Sequence, residues 1–240
     1  MSDGILTLKK WIEESDNIVF FGGAGVSTES GIPDFRSVDG LYSQKYKYPP
    51  ETIVSHTFLT RKTDEFFEFY KEKMVAPAIA AKPNKAHARL AELEKAGKLR
   101  AVITQNIDGL HQAAGSKEVL ELHGTVMKNY CSSCNKKYGV DAVMKAPGIP
   151  KCECGGMIRP DVVLYEEGLD MDVMERAVKY ISEADVLIIG GTSLVVYPAA
   201  GLIRYYRGDK LVLINLSETS QDQFADLVIR EKIGEVFSQV

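Results

Sequence analysis

Residues 17–36 read NIVFFGGAGVSTESGIPDFR, and this stretch decides the fold. It opens on an apolar run, Ile18-Val19-Phe20-Phe21, which predicts a buried strand. Gly22, Gly23 and Gly25 follow at once. Without a Cβ, such residues let the backbone turn sharply and bring its N–H groups close to a ligand. Ser27 and Thr28 are candidates to cap a short helix. A glycine turn between a strand and a helix N-terminus suits a pyrophosphate, because unpaired N–H groups and the helix dipole both favour an anion. The dinucleotide fingerprint G-x-G-x-x-G is only partly met, since Thr28 stands where the third glycine belongs. By itself the loop fits a nucleotide site or a plain strand–helix turn. Its tail, Gly31-Ile32-Pro33-Asp34-Phe35-Arg36, adds an acid, an aromatic ring and a guanidinium directly behind it.

Working outward, the same grammar recurs. Apolar strands are expected at residues 100–104, 119–122, 162–165, 185–189, 210–214 and 225–229. Helical patterns lie between them at 63–74, 83–96, 171–182, 198–206 and 231–240, with an amphipathic helix at the N-terminus carrying Ile5, Leu8, Trp11 and Ile12 on one face. Thr63 is read as the cap of the 63–74 helix, and His87 is assigned no role. Strands alternating with helices indicate an α/β fold, a parallel sheet covered on both faces. Three strands end in small or polar clusters: Gly22 to Gly25, Gln105-Asn106-Ile107-Asp108, and Gly190-Gly191-Thr192-Ser193. Asn215 ends a fourth. Open α/β sheets bind ligands at the carboxyl ends of their strands. Convergence of these clusters on one edge would therefore make a nucleotide cleft, although Asn106 or Asp108 could equally cap a strand–helix turn. His123-Gly124 ends another strand, and that histidine suits either a general base or a hydrogen-bonded rim position.

Residues 130–160 differ in character. Cys131-x-x-Cys134 and Cys152-x-Cys154 are separated by 17 residues, in a span poor in hydrophobes. Such a segment lacks a core of its own, and a tetrahedral zinc held by all four cysteines would staple it. Four protein thiolates leave no open coordination position, so this zinc is expected to be structural.

Composition narrows the function. The chain has 240 residues, 45% of them hydrophobic, and a net charge of −4. That balance argues against a general nucleic-acid binder. No stretch approaches the roughly 20 apolar residues of a membrane span. Residues 1–17 lack a signal peptide's basic start and apolar core, and the cysteine usage fits a reducing compartment, so a cytoplasmic location is expected.

Together the motifs Gly23-Ala24-Gly25-Val26-Ser27, Gly31 to Arg36, Thr104 to Asp108, His123-Gly124, the cysteine pairs, Gly191-Thr192-Ser193 and Ile214-Asn215-Leu216 resemble the sirtuins, the NAD-dependent protein deacylases. The resemblance runs from about residue 18 to residue 237. It implies a Rossmann-like domain from residues 1–36, 78–125 and 161–240. A small domain would combine a helical insertion at 37–77 with a zinc ribbon at 126–160. It implies that Gly23, Ala24, Gly25, Thr28 and Arg36 hold the NAD phosphates and nearby ribose. Asp34 and Phe35 would border the nicotinamide pocket, with Phe35 shielding the reactive ribose carbon from water. Ile107 and Asp108 would bind the carboxamide, with Gln105 and the catalytic Asn106 ordering the ribose and a water. Gly191, Thr192, Ser193, Asn215, Leu216 and Ile233 would meet the adenosine half. His123 would be the general base.

The implied reaction consumes NAD, releases nicotinamide and transfers the acyl group of an acyl-lysine to ADP-ribose. The acylated protein or peptide would lie as a strand between residues 163–168 and 194–197, touching Val163, Tyr165, Glu167, Leu194, Val195 and Tyr197. Glu166 replaces a glycine that the family usually carries, and so could add a charge beside the peptide or shift the loop. No arginine stands between Arg36 and Arg61, which implies acetyl or other uncharged acyl groups. A longer-chain deacylase, a protein ADP-ribosyltransferase using the same NAD site, a dehydrogenase and a non-catalytic NAD-sensing module are the competing readings.

Overall fold

The apolar run that begins the decisive stretch is the strand β1, Ile18–Gly22, and each of its residues is buried. In this computed structural model, residues 2–34, 40 and 46–240 are described. β1 sits mid-sheet, pairing in parallel with β2 (Leu99–Thr104) on one side and β7 (Val186–Gly190) on the other. The sheet is completed by β3 (Val119–Glu121), β8 (Leu211–Ile214) and β9 (Leu227–Ile229), in the order β3-β2-β1-β7-β8-β9. Its pairings are all parallel.

Side chains alternate across a strand, so a sheet covered on both faces demands an unbroken apolar run. Ile18 and Phe20 join a core with Ile5, Leu8 and Ile12 of the helix Asp3–Glu14 and with Leu90 and Leu93 of the helix Lys85–Lys95. Val19 and Phe21 point to the other face, among Ile181 of the helix Met171–Glu183 and Ala199 and Leu202 of a 3₁₀ segment. The Lys85–Lys95 helix starts at Asn84, whose side chain accepts from Ala86 and His87 N–H groups while His87 Nδ1 accepts from the Asn84 N–H. His87 is therefore one half of a capping box.

A second core lies outside this sheet. Phe58, Phe66, Phe67 and Tyr70 pack with Val126, Ile158 and Val162. The aromatic residues come from the helices His56–Arg61 and Thr63–Phe69, the latter running on through a π-helical turn, Tyr70–Val75, to Ala80. The apolar residues opposite them come from a three-stranded antiparallel sheet, with β4 (Gly124–Cys131) between β5 (Lys137–Gly139) and β6 (Ile158–Val162).

The expected strand at residues 162–165 is thus corrected. It does not join the parallel sheet. β6 pairs with β4 instead, and residues 163–165 continue as an extended segment. Thr63 does not cap its helix either. Its hydroxyl donates to the Leu59 carbonyl, and the side-chain cap in this region is Ser55, which accepts from Phe58 N–H.

Candidate active site

The direction of the chain changes sides at β1. From β1 the sheet grows through β2 to β3 in one direction and through β7, β8 and β9 in the other. The crevice beyond the carboxyl ends of two such strands is where doubly wound sheets bind ligands. Register brings the predicted clusters together there. Gly22 lies opposite Thr104 and Gly190, and Gly190 opposite Ile214. The next residues, Gly23, Gln105, Gly191 and Asn215, therefore all leave from one edge.

The glycine loops meet backbone to backbone. Gly23 N–H donates to the Gly190 carbonyl at 3.1 Å and Gly25 N–H to the Gly191 carbonyl at 2.8 Å. A Cβ on Gly25 would fall 2.8 Å from Gly191 Cα. Gly191 itself holds φ at +58°, a left-handed value that costs an ordinary side chain about 1–2 kcal/mol. The expected helix after this loop is only two short 3₁₀ turns, Ala24–Val26 and Thr28–Ser30, and Ser27 makes no side-chain cap. Its partners are distant ones. Ser27 is buried, and its hydroxyl donates to Asp108 Oδ2 at 2.7 Å while accepting from Asn106 Nδ2 at 3.0 Å. Asp108 Oδ1 accepts from Leu110 N–H, so both carboxylate oxygens are engaged.

Thr192 Oγ1 donates to Gln105 Oε1 at 2.9 Å, joining the second and third clusters. Gln105 Nε2 is buried without a hydrogen-bond partner among the described residues. Such a group carries a desolvation cost that a bound polar ligand would relieve. Glu29 ties the loop to the last helix, Ile233–Phe237, by accepting from Gly234 N–H at 2.6 Å.

His123 follows β3, and the carbonyl of Gln105 lies 3.0 Å from its Nδ1. A carbonyl only accepts, so Nδ1 carries the hydrogen and Nε2 is the basic atom of the neutral ring. Burial lowers the pKa of His123 below the ordinary histidine value, opposed in part by this same hydrogen bond.

Beside these residues opens a cleft of about 810 Å³, within the size range of cofactor sites. Of the predicted set, Ala24, Gly25, Thr28, Asp34, Gln105, Asn106, Ile107, His123, Gly191, Thr192, Ser193, Asn215, Leu216 and Ile233 border it. Gly23 and Asp108 lie behind the lining. Phe35 and Arg36 lie outside the described residues, as does most of the loop on which the acyl-group reading rests. Glu29, Val54, Met74 and Lys232 also line the cleft and were not anticipated. Val54, Met74 and Lys232 come from elements whose approach depends on tertiary packing, and Glu29 follows the predicted Thr28 directly.

Val163, Tyr165, Glu167 and Tyr197 flank the same cleft, and Val195 and Tyr197 are exposed. Leu194 is 3% exposed and belongs to the sheet's core. Val163 N–H donates to the His123 carbonyl, Tyr165 N–H to the Val54 carbonyl, and His56 N–H to the Tyr165 carbonyl, each at 3.0 Å. Glu167 is not a free charge. Arg159 grips it in two-pronged fashion at 2.9 and 3.0 Å, His56 Nδ1 lies at 2.8 Å, and Leu164 N–H donates to it. Burial pushes its pKa up, but these contacts outweigh burial and hold it below the ordinary glutamate value.

The four cysteine Sγ atoms lie within 4.8 Å of one another. Cys131 and Cys154 are 3.5 Å apart, and Cys134 and Cys152 are 3.7 Å apart. Thiolates at about 2.3 Å around a tetrahedral zinc stand about 3.8 Å apart, so the cluster fits one zinc ion. Cys131 and Cys152 also belong to the second core, which places the cluster at the root of the small sheet.

Comparison with known proteins agrees with this geometry. Residues 23–198 match the model of the Sir2 family. The chain is 60% identical to an NAD-dependent protein deacetylase of Clostridium acetobutylicum, over 99% of this chain and 98% of that protein. It is 44% identical to one of Staphylococcus aureus, over 98% and 97% respectively. Among solved structures, a Sir2–p53 peptide–NAD+ complex is similar at a TM-score of 0.87 and 42% identity, covering 100% of this chain and 97% of the other. A likeness that spans both cores, the cysteine cluster and the crevice cannot rest on a shared nucleotide loop alone, and on this ground the chain belongs to the Sir2 family.

Proposed function

We propose that this chain is an NAD-dependent protein-lysine deacetylase, yielding free lysine, nicotinamide and O-acetyl-ADP-ribose. The observation that carries the reading is the position of His123. Its basic Nε2 belongs to a residue that lines the cleft, and its own carbonyl holds Val163, which lines the same cleft. One residue thus borders both a nucleotide site and a strand-like wall.

NAD supplies an electrophilic ribose carbon and a good leaving group. The chain's residues bind, orient and move one proton. Gly23, Ala24, Gly25 and Thr28 would receive the phosphates, with Arg36 beside them. Ile107 and Asp108 would hold the nicotinamide carboxamide, and Gln105 and Asn106 would order the ribose and a water, with Asp108 and Asn106 held from behind by Ser27. Phe35 and Asp34 would border the same pocket. Gly191, Thr192, Ser193, Asn215, Leu216 and Ile233 would meet the adenosine half. His123 would accept a proton from the ribose hydroxyls, and its lowered pKa keeps it neutral at pH 7. The peptide would add a strand between residues 163–168 and 194–197. Cys131, Cys134, Cys152 and Cys154 would hold one structural zinc.

Acetyl or other uncharged acyl groups are the proposed substrates. The four thiolates and the apolar balance suit a cytoplasmic protein. Among the described residues no helix is long and apolar enough to cross a membrane. No direct nucleic-acid binding is proposed.

The test is mass spectrometry of the purified protein with NAD and an acetyl-lysine peptide, beside His123→Ala. Loss of one acetyl group from the peptide, matched by nicotinamide and O-acetyl-ADP-ribose and abolished in the variant, is the expected result. Nicotinamide release with the acetyl group retained would instead favour ADP-ribosyl transfer or NAD hydrolysis.

A further inference from the structure

We propose that Glu166 is a positioning residue for the acyl-lysine peptide, acting as a peg that fixes the wall formed by residues 163–167. This rests on the deacetylase reading above. Among the described residues only Asn135, Glu166 and Leu194 are non-glycine residues with positive φ, and Glu166 stands at +77°. Asparagine tolerates this region and glutamate does not. Such a conformation persists only where the surroundings hold it.

What holds it is visible. Glu166 Oε2 accepts from the backbone N–H of Thr57 at 2.9 Å. Thr57 lies in the first turn of the helix His56–Arg61, where N–H groups lack partners within the helix. The neighbouring donors are taken as well: His56 N–H by the Tyr165 carbonyl and Phe58 N–H by Ser55 Oγ. Two of the three acceptors at this helix start therefore come from the wall. Glu166 is exposed and lines the cleft, but its carboxylate is tied to the helix start, and its pKa lies below the ordinary glutamate value chiefly through the hydrogen bonds from Thr57.

The wall hangs between this peg and His123, which holds Val163. A peptide that adds to it as a strand takes its register from it. A wall released from this peg pairs less well with the peptide, so the loss falls on peptide binding. Glu166 therefore sets peptide placement through Thr57.

Three variants separate a cap from a charge and from backbone strain. Glu166→Gln keeps an acceptor oxygen, Glu166→Ala loses the cap and keeps the strain, and Glu166→Gly loses both. In Glu166→Ala the peptide KM should rise about 5–10-fold, the size of one hydrogen bond, with the NAD KM and kcat near wild type. Glu166→Gln should restore the wild-type KM, and Glu166→Gly should fall between. The effect should be equal for peptides with basic or acidic flanks. A glutamine variant as impaired as alanine, an effect that follows flank charge, or three unimpaired variants would each overturn the proposal. If the wild type does not deacetylate the peptide at all, the functional reading fails separately. Amide hydrogen exchange across residues 54–58 and 163–167 then decides: faster exchange in Glu166→Ala than in Glu166→Gln supports the peg, and equal exchange refutes it.

Discussion

The backbone N–H of Val163 donates to the carbonyl oxygen of His123 at 3.0 Å. That contact joins the segment after β6 to the histidine whose Nδ1–H is spent on Gln105. The imidazole is thereby fixed through its ring and its main chain at once. Its orientation is set jointly by the loop after β2 and the segment after β6.

His123 should therefore show a simple acid limb. The base works only when neutral, and burial lowers its pKa. Lowering the pH protonates it, so kcat/KM should fall as pH drops, with a midpoint below the unperturbed value of about 6.5. A pH profile of kcat/KM measures this. His123→Ala should lose about 10²–10⁴-fold in kcat while NAD binding by calorimetry persists. A midpoint above about 7 would remove His123 from the role.

Ser27 supports the pocket from behind. Ser27→Ala deletes its hydrogen bonds to Asp108 and Asn106 and leaves a buried carboxylate oxygen without that donor. The expected cost is about 1–3 kcal/mol, appearing as weaker NAD binding and a lower kcat/KM. Peptide KM should move less. Steady-state kinetics with each substrate varied would separate the two.

Removing the metal should loosen the smaller core first. Cys131 and Cys152 pack beside Val126 and Ile158, and β4 begins one residue after His123. One zinc per chain by elemental analysis is expected. A strong chelator, or Cys134→Ser, should lower Tm and abolish turnover. Full activity in metal-free protein would overturn the structural assignment.

Two buried imidazoles should make the fold acid-sensitive. His87 and His111 meet edge to face with ring centroids 4.7 Å apart. Burial lowers His87 to about 4 and His111 to about 3. Unfolded, each takes up a proton near pH 6.5; folded, each resists until near its own lowered value. The unfolded state then binds more protons, and stability falls as pH drops from about 6.5 toward 4, by up to about 1.4 kcal/mol per histidine per pH unit. Tm measured across that window should drop, and His111→Leu should flatten the slope.

Much of this is legible along the chain. β1 and β7 stand out because strands covered on both faces require unbroken apolar runs. The clusters ending them follow, since parallel strands deliver their carboxyl ends to one edge. The cysteine spacing suffices for the metal cluster. Ser27 misleads because capping signals are local, whereas its partners Asp108 and Asn106 lie 81 and 79 residues away. The run at residues 162–165 misleads because a short apolar segment carries no strand direction. Gly124 and Thr125, opposite Val162 and Asp161, supply it.

By itself the sequence determined the alternation of strands and helices, the glycine and polar loops and the spacing of the four cysteines. Each of these depends on residue type and spacing within a short window. Only the tertiary structure decided which loops touch, that Leu194 turns into the core, that Glu167 is neutralised by Arg159, and that Glu166 serves a helix start 109 residues earlier. Those outcomes depend on which donor a buried or crowded acceptor can reach, and that is settled by packing across the fold.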